Sequence, residues 1–582
     1  MKHTTKILTW ALALTCLSGC IEKENPSDMA TGEQISASET AFSMLVNGME
    51  SKMIANYNYH SANDYSTWYA TQDFGYPCYI LIKESLLDGY PSSGTNYNYQ
   101  SVYEQASNLS SYSLYPYYFY YSLIYNANKI LSYGTGANGN KEILAGCGVA
   151  RAYRALAYMD LAMMYEFYRT GNEELDAKAQ SVYGLTVPLV TENTTREDAK
   201  NNPRIPFYQM YRFILNDLTQ AETLLAGHER SLKNKVNVDV VHGLMARFWL
   251  NLATRFRKEP ADLATQLAHE GDDDGGTALG ITSANDCYNK AFAYAKQVIE
   301  AGYTPTTEEL WLDSKTGFNT ENQGWVWDMK ITSPQEQINV YWCSIMGQIA
   351  SEPTWGMSNY GNTYRCISVA LYEEMQSGDW RKSAWVGPAD AGAKTVPSRY
   401  HTLLQDETPT SLDEQKSFSR LPAYTNLKFH PGSGNLDDYN VGLVCDIPLL
   451  RVEEMYFIQM ECELFLNGLQ AGKSALESFM NTYRMNGGSF QATATAERDF
   501  IYEMMAQKYI EFWGEGVMYN DYKRLRLAIT RTYDTSNYLD TYRLDSKDGY
   551  CAQWLNFYIP YEERNFNAGL EGQMNPDPTI KK

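Results

Sequence analysis

Three short patterns in the 582-residue sequence contain residue types that could do chemistry, and each lacks the partners that chemistry needs. Gly134-Thr-Gly-Ala-Asn-Gly139 matches the glycine spacing of a dinucleotide loop. Such a loop cradles phosphate only between a strand and a helix N-terminus. Here a helical pattern precedes it, so a turn between helices is expected. Glu270-Gly-Asp272-Asp-Asp274-Gly275 begins like a calcium loop, but its twelfth position is Ile281, where a bidentate carboxylate is required. A solvated acidic loop is expected; a structural calcium is compatible with the composition and has no assignable ligands. The seven histidines, at 3, 60, 228, 242, 269, 401 and 430, form no HExxH pair, and no GxSxG elbow is present. Carboxylate pairs are too numerous to select a glycosidase dyad without knowing their separation. No catalytic residue, metal ligand or cofactor is assigned, and an enzyme is not expected.

The residues best suited to recognition are aromatic. Phe, Trp and Tyr make up 14% of the chain, with 47 Tyr and 12 Trp. A Tyr or Trp ring offers a flat apolar face and a polar edge, which suits a core and equally a surface that stacks on a sugar ring. Tyr115, Tyr117, Tyr118, Tyr120, Tyr121 and Tyr125 fall on a helical pattern and are expected to pack in the scaffold. Aromatic residues in loops have less core to fill. Two aromatic loop segments stand out, Tyr90–Tyr99 and Tyr341–Tyr364. Tyr90, Tyr97, Tyr99, Trp342, Trp355 and Tyr360 are the candidate ligand platform, with Trp355 first because Pro353 and Gly356 place it in a turn.

Charge and the N-terminus narrow the setting. The net charge of −21 repels phosphate, so nucleic acid is excluded as a partner. Lys2 and Lys6 precede a short apolar stretch, Ile7–Leu17, which ends in Leu17-Ser18-Gly19-Cys20. This reads as a signal peptide over 1–19 with a bacterial lipobox, making Cys20 the lipidation site and first mature residue. No later apolar run is long enough to span a bilayer. Cys78, Cys147, Cys287, Cys343, Cys366, Cys445, Cys462 and Cys551 show neither a CxxC pair nor zinc spacing, and mostly free buried thiols are expected.

Helical periodicity dominates the remainder. Ala152, Leu156, Met159, Met163 and Phe167 recur at steps of three and four, as do Tyr211, Ile214, Leu218, Ala221 and Leu225. Val241, Met245, Phe248 and Leu252 follow a candidate cap at Asn237, and Tyr288, Ala291, Ala295 and Val298 precede a stop at Gly302. From about 304 to 445 the chain turns rich in Gly, Ser, Pro, Asn and Trp, with GWVWDMKI as a short strand among long loops. The helical pattern returns with Val452, Met455, Ile458, Cys462 and Leu466, stops at Asn467-Gly468, and closes with a helix from about Glu497 to Trp513. The fold class is mostly α, with consecutive amphipathic helices pairing into a tetratricopeptide-like scaffold, at about 40–303 and 446–530. A loop-rich insertion at about 304–445 and a C-terminal segment, 531–582, complete it.

The order of these segments resembles a known family. IPLLRVEEMYFIQMECELFLNG, NTYRMNGG and FIYEMMAQKYIEFWGEGVMYNDYKRL, closed by FYIPYEERNFN and QMNPDP, resemble the C-terminal block of SusD/RagB outer-membrane nutrient-binding lipoproteins of Bacteroidetes. YYFYYSLIYNANKIL, ARAYRALAYMDLAMMYE, GLTVPLV and IPFYQMYRFILNDLTQAETLL resemble its helical scaffold in the same order, and KVNVDVVHGLMARFWLNLA and LYEEMQSGDWRK fit as well. Lys508 stands where the family often has Arg. The resemblance implies one domain over 20–582 whose inserted loops form a ligand face. It implies a lipid-anchored protein at the surface of the outer membrane that captures an oligo- or polysaccharide and delivers it to a SusC-like TonB-dependent transporter, without catalysis. Capture of a peptide or other non-sugar nutrient on the same fold, and an exported glycosidase, are the alternatives. Glu503, Lys508, Glu511 and Arg524 are read as ion pairs and caps that fix the last helix pair.

Overall fold

Capping residues and apolar faces set the helices of the computed structural model, which describes residues 35, 38–54, 75–94, 111–135, 139–332, 345–351, 363–389, 421–435 and 438–579. The N-terminal half contains α1 (Glu39–Ile54), α2 (Tyr76–Ser85), α3 (Ser111–Gly134) and α4 (Lys141–Tyr165). The two-stranded pair β1 (Leu185–Pro188) and β2 (Arg204–Pro206) follows, then α5 (Phe207–Leu224), α6 (Val238–Lys258) and α7 (Ala284–Glu300). Asn140 starts α4 by accepting the N–H of Glu142 and Ile143, and Asn237 starts α6 by accepting that of Val240. Ser283 and Asp286 cap α7 reciprocally. Gly302, at φ 99°, ends it in a conformation that costs any residue with a Cβ.

Each helix packs on the next: α3 on α4, α4 on α5, α5 on α6 and α6 on α7. The neighbour of α7 then lies far along the chain. It is α8 (Val452–Asn467), which in turn packs on α9 (Leu469–Tyr483). Residues 301–451 are therefore an excursion between two packed helices. The excursion leaves along β3 (Trp325–Ile331) and returns along β4 (Cys445–Arg451), which pair antiparallel from Trp325↔Arg451 to Ile331↔Cys445. Helices α10 (Glu497–Phe512) and α11 (Met518–Leu525) complete the scaffold.

The predicted apolar faces point inward. Tyr288, Ala291, Ala295 and Val298 are buried, as are Val452, Met455, Ile458 and Cys462. One continuous core runs from Phe42 to Leu570. The expectation that loop aromatics have little core to fill fails for several residues of the excursion. Trp311, Trp380, Trp385 and Phe429 all belong to the main core. They surround buried cations: the Lys428 ammonium lies 4.8 Å from the Trp311 ring centroid, and the Arg484 guanidinium 5.2 Å from that of Trp380.

The glycine-rich pattern at 134–139 falls between α3 and α4, with its central residues outside the described set. Three of the four acids of the 270–275 loop have protein partners: Asp274 pairs with Arg212, Asp272 with His269, and Glu270 accepts from Gln266 and the N–H of Gly280. Cys147, Cys287, Cys366, Cys445, Cys462 and Cys551 are free and buried, and Cys78 is buried; Cys343 lies outside the described residues.

Candidate functional site: the junction of the loop stems

Of the six aromatic candidates, Tyr97, Tyr99, Trp342, Trp355 and Tyr360 lie outside the described residues, as does Cys20. Tyr90 is described, and it is a core residue. It is only 2% exposed, with its ring 4.9 Å from that of Trp513. Its assignment to a ligand platform is corrected: Tyr90 lies within a buried stretch that also includes Leu86, Leu87 and Ser92.

The chain flanking the other candidates is well defined. The N–H of Ser93 donates to the carbonyl of Tyr364 at 3.0 Å, and the N–H of Tyr364 returns to Ser93 Oγ at 2.9 Å. The N–H of Cys366 donates to the carbonyl of Pro91. Arg365, buried beneath them, donates to Ser92 Oγ at 3.1 Å, to the Gln348 carbonyl at 3.1 Å and to Gln348 Oε1 at 3.0 Å. One guanidinium thus fastens the chain before Tyr97 and Tyr99 to the chain on both sides of Trp355 and Tyr360. Asn426 joins the junction, its N–H donating to the Arg365 carbonyl and its amide to the Ile349 carbonyl. Tyr364, Cys366, Val386, Leu421 and Leu427 form a small separate core around it. The ends of four sequence segments meet in one place.

Beneath this junction lies a buried charge network. Glu511 on α10 is fully buried and accepts from Arg484 at 2.8 and 2.9 Å, from Arg451 at 3.2 Å and from Arg381 at 3.2 Å. Burial alone would raise its carboxyl, but Arg484, Arg451 and Arg381 outweigh that and hold it well below the usual carboxylate range. Lys428 donates to Glu515 and to the carbonyls of Glu511 and Trp513. Burial nevertheless pushes its ammonium down to about 8, despite Glu515. The Trp513 indole donates to the Gly89 carbonyl at 2.8 Å, so the end of α10 holds the base of the first stem. Lys508 pairs with Asp521 at 2.7 Å, and Arg524 with Glu461 and Asp521, while Glu503 accepts the N–H of Thr493 and Ala494. The expectation that these residues are structural holds.

One carboxylate cluster has donors suited to a hard cation. Glu321, Asp328 and Asp446 each offer an oxygen, all within 4.8 Å of one another, where β3 meets β4. The Lys330 ammonium already lies 3.0 Å from Asp446 and 3.7 Å from Glu321. Asp328 is 1% exposed, and neither of its carboxylate oxygens has a hydrogen-bond donor. Burial, aided by Asp446, pushes Asp328 up to about 7. The Lys330 ammonium thus offsets part of the negative charge of this cluster.

A further concavity of about 570 Å³ lies where α3 meets the C-terminal segment. Tyr118, Tyr121 and Phe566 line it, and Phe566 is 74% exposed. Sequence reasoning assigned Tyr118 and Tyr121 to packing and passed over Phe566. The exposed aromatic follows no periodic pattern, so only the fold reveals it.

Comparison with known proteins adds the family. The model of the SusD family matches residues 299–576, from the end of α7 through the C-terminal segment. No curated protein matches the chain. Among solved structures, a SusD-like carbohydrate-binding protein from Bacteroides vulgatus superposes with a TM-score of 0.64 at 17% identity, over 94% of this chain and 99% of its own. A SusD superfamily protein from Bacteroides thetaiotaomicron gives 0.60 at 17% identity, over 93% of this chain and 100% of its own. A SusD-like carbohydrate-binding protein from Bacteroides fragilis gives 0.57 at 13% identity, over 92% and 99%. Residues 299–576 belong to the SusD family, and the chain as a whole shares the fold of these solved structures. The SusD family match spans the whole excursion and the Glu511 network that supports the loop stems, whereas α1 to α6 share the fold with the solved structures at low identity.

Proposed function

We propose that this SusD-family protein captures a glycan on the two aromatic segments whose ends meet at the Arg365 junction. The observation that carries this reading is the junction itself. Ser92 and Arg365 lie 273 residues apart, yet they tie together the stems of both aromatic loop segments singled out from the sequence. Because the described ends of the two segments are fastened together, their aromatic residues are the candidates for one platform that lays apolar faces against the apolar face of a sugar ring. Two of the structurally similar proteins are described as carbohydrate-binding, which supports the same class of ligand. The chain acts as a binding protein, anchored by lipid at Cys20 to the outer membrane, exposed at the cell surface, and handing its ligand to a SusC-like TonB-dependent transporter. Among the described residues no helix is long and apolar enough to cross a membrane.

Incubation of the purified mature protein with a panel of plant, microbial and host glycans tests the reading. Depletion of one glycan without cleavage is the expected result. Cleavage products would replace the binding role with a glycosidase, and depletion of peptides instead of glycans would move the substrate class.

A further inference from the structure

A second recognition site of different chemistry lies where the C-terminal ends of α4, α6 and α11 converge. A pocket of about 160 Å³ opens there, bordered by Tyr183, Asn251, Arg255, Lys258 and Arg526. On a chain of net charge −21, this corner concentrates cations. Most of them are committed. Arg255 binds both oxygens of Glu166, at 2.7 and 2.9 Å, and Asp262 at 2.8 Å. Arg524 is held by Glu461 and Asp521, and Arg498 by Asp548. The partial negative charge at the helix ends is also answered, because Arg498 donates to the carbonyls of Leu525 and Arg526, and Lys523 to those of Met164 and Glu166.

Donors remain uncommitted on Lys258 and Arg526, and Arg169, which also borders the pocket, has no ion pair among the described residues. Lys258, half-buried, makes no hydrogen bond or ion pair among the described residues. Arg526 binds Glu259 through Nη2, but its buried Nε has no acceptor. The acids that border the pocket, Glu166, Glu259 and Asp262, are already taken up by Arg255 and Arg526. Buried donors are normally satisfied, and one left open in a concave site points to an acceptor supplied from outside. We propose that this pocket binds an oxyanion, a carboxylate, sulfate or phosphate group, through Lys258 and the Nε of Arg526. Burial, with Arg498, Arg526 and Arg524 close by, pushes Lys258 down to about 8, as expected of a site with surplus positive charge. The volume corresponds to several water molecules at roughly 30 Å³ each, room for one tetrahedral oxyanion or the acid-bearing ring of a sugar. At the same rim the Tyr183 ring is covered by the Arg169 guanidinium, 5.1 Å from its centroid, which adds a further cation to the pocket wall.

Titration calorimetry on the full mature protein tests the site, with sodium sulfate and phosphate as free anions, galacturonate and glucose 6-sulfate as sugar-borne ones, and glucose and sodium chloride at matched ionic strength as controls. Oxyanions are expected to bind where glucose and chloride do not. Tighter binding of the acidic sugars than of inorganic sulfate would identify a glycan acid group as the source; equal or weaker binding would identify the free ion. Lys258→Met is expected to weaken binding about tenfold or more, the scale of a charge-assisted hydrogen bond, and Lys258→Arg to retain it. Since Lys258 has no structural partner, neither change should lower the melting temperature; Lys258→Gln gives the same reading through a polar side chain. Wild-type binding by Lys258→Met, or the same weak heats for sulfate and chloride, would overturn the proposal.

Discussion

Glu511 shows how much a single buried carboxylate can organise. It neutralises three guanidiniums reaching it from β4, from the end of α9 and from the excursion. Removing its charge takes one partner from each, leaving Arg381 with Asp379, Arg484 with Glu453, and Arg451 with Glu453 and Glu515; breaking buried pairs in this way typically costs about 3–5 kcal/mol. Glu511→Gln should therefore lose stability on that scale in chemical denaturation at pH 7. Its carboxyl is depressed in the fold, so its contribution is present above the ordinary value of 4.5 and is lost as pH falls through the depressed folded value. The variant should accordingly show a shallower loss of stability on acidification, and an identical acid limb would mean that the three arginines are compensated by other groups. Asp328 behaves in the opposite sense. Raised from 3.8 to about 7, it carries no penalty below pH 3.8 and an increasing one as pH rises to about 7. The difference amounts to roughly 4 kcal/mol. Asp328→Asn should be more stable than wild type at pH 8 and close to it at pH 4, as read from melting curves at the two pH values.

Among the elements, amphipathic faces were legible because the spacing that defines them is local. Met455 is fully buried on α8, so Met455→Asp would bury an unpaired charge and lose several kcal/mol. An unchanged melting temperature would show that the face is misassigned. Strand pairing was not legible in the same way. GWVWDMKI reads as a strand, but its partner, Cys445–Arg451, lies beyond the whole excursion and carries no local mark of the pairing. The stem junction is equally non-local. Arg365→Met would keep the bulk of the side chain and remove its donors to Ser92 and Gln348. Glycan affinity should fall by more than the small loss of melting temperature would explain, because the stems of both aromatic loops are loosened together. Equal affinity would show that the loops are held independently of this guanidinium.

For the whole molecule, the testable units are the anchor and the platform. On the proposed lipid anchor, Cys20→Ala should release the protein from washed outer membranes, because the acyl chains would be its attachment. Alanine at Trp355, Trp342, Tyr97 or Tyr99 should weaken glycan binding by roughly 1–3 kcal/mol per essential ring, with normal melting. Phe566→Ala provides the contrast: if it alone weakens binding, the ligand lies in the concavity beside α3 and not on the loops. By itself, the sequence determined the helical scaffold, the caps at Asn237 and Gly302, the character of the excursion and the structural roles of Glu511 and Arg524. These rest on local periodicity, on turn chemistry and on a family order of segments. Only the tertiary structure decided that Tyr90 belongs to the core. It alone showed that segments 273 residues apart share one root, and that Lys258 faces a pocket without an acceptor. The physical reason is the same in each case. Burial and hydrogen-bond partnership are set by which distant segments meet, and an aromatic or a lysine has the same local signature whether it meets a partner or not.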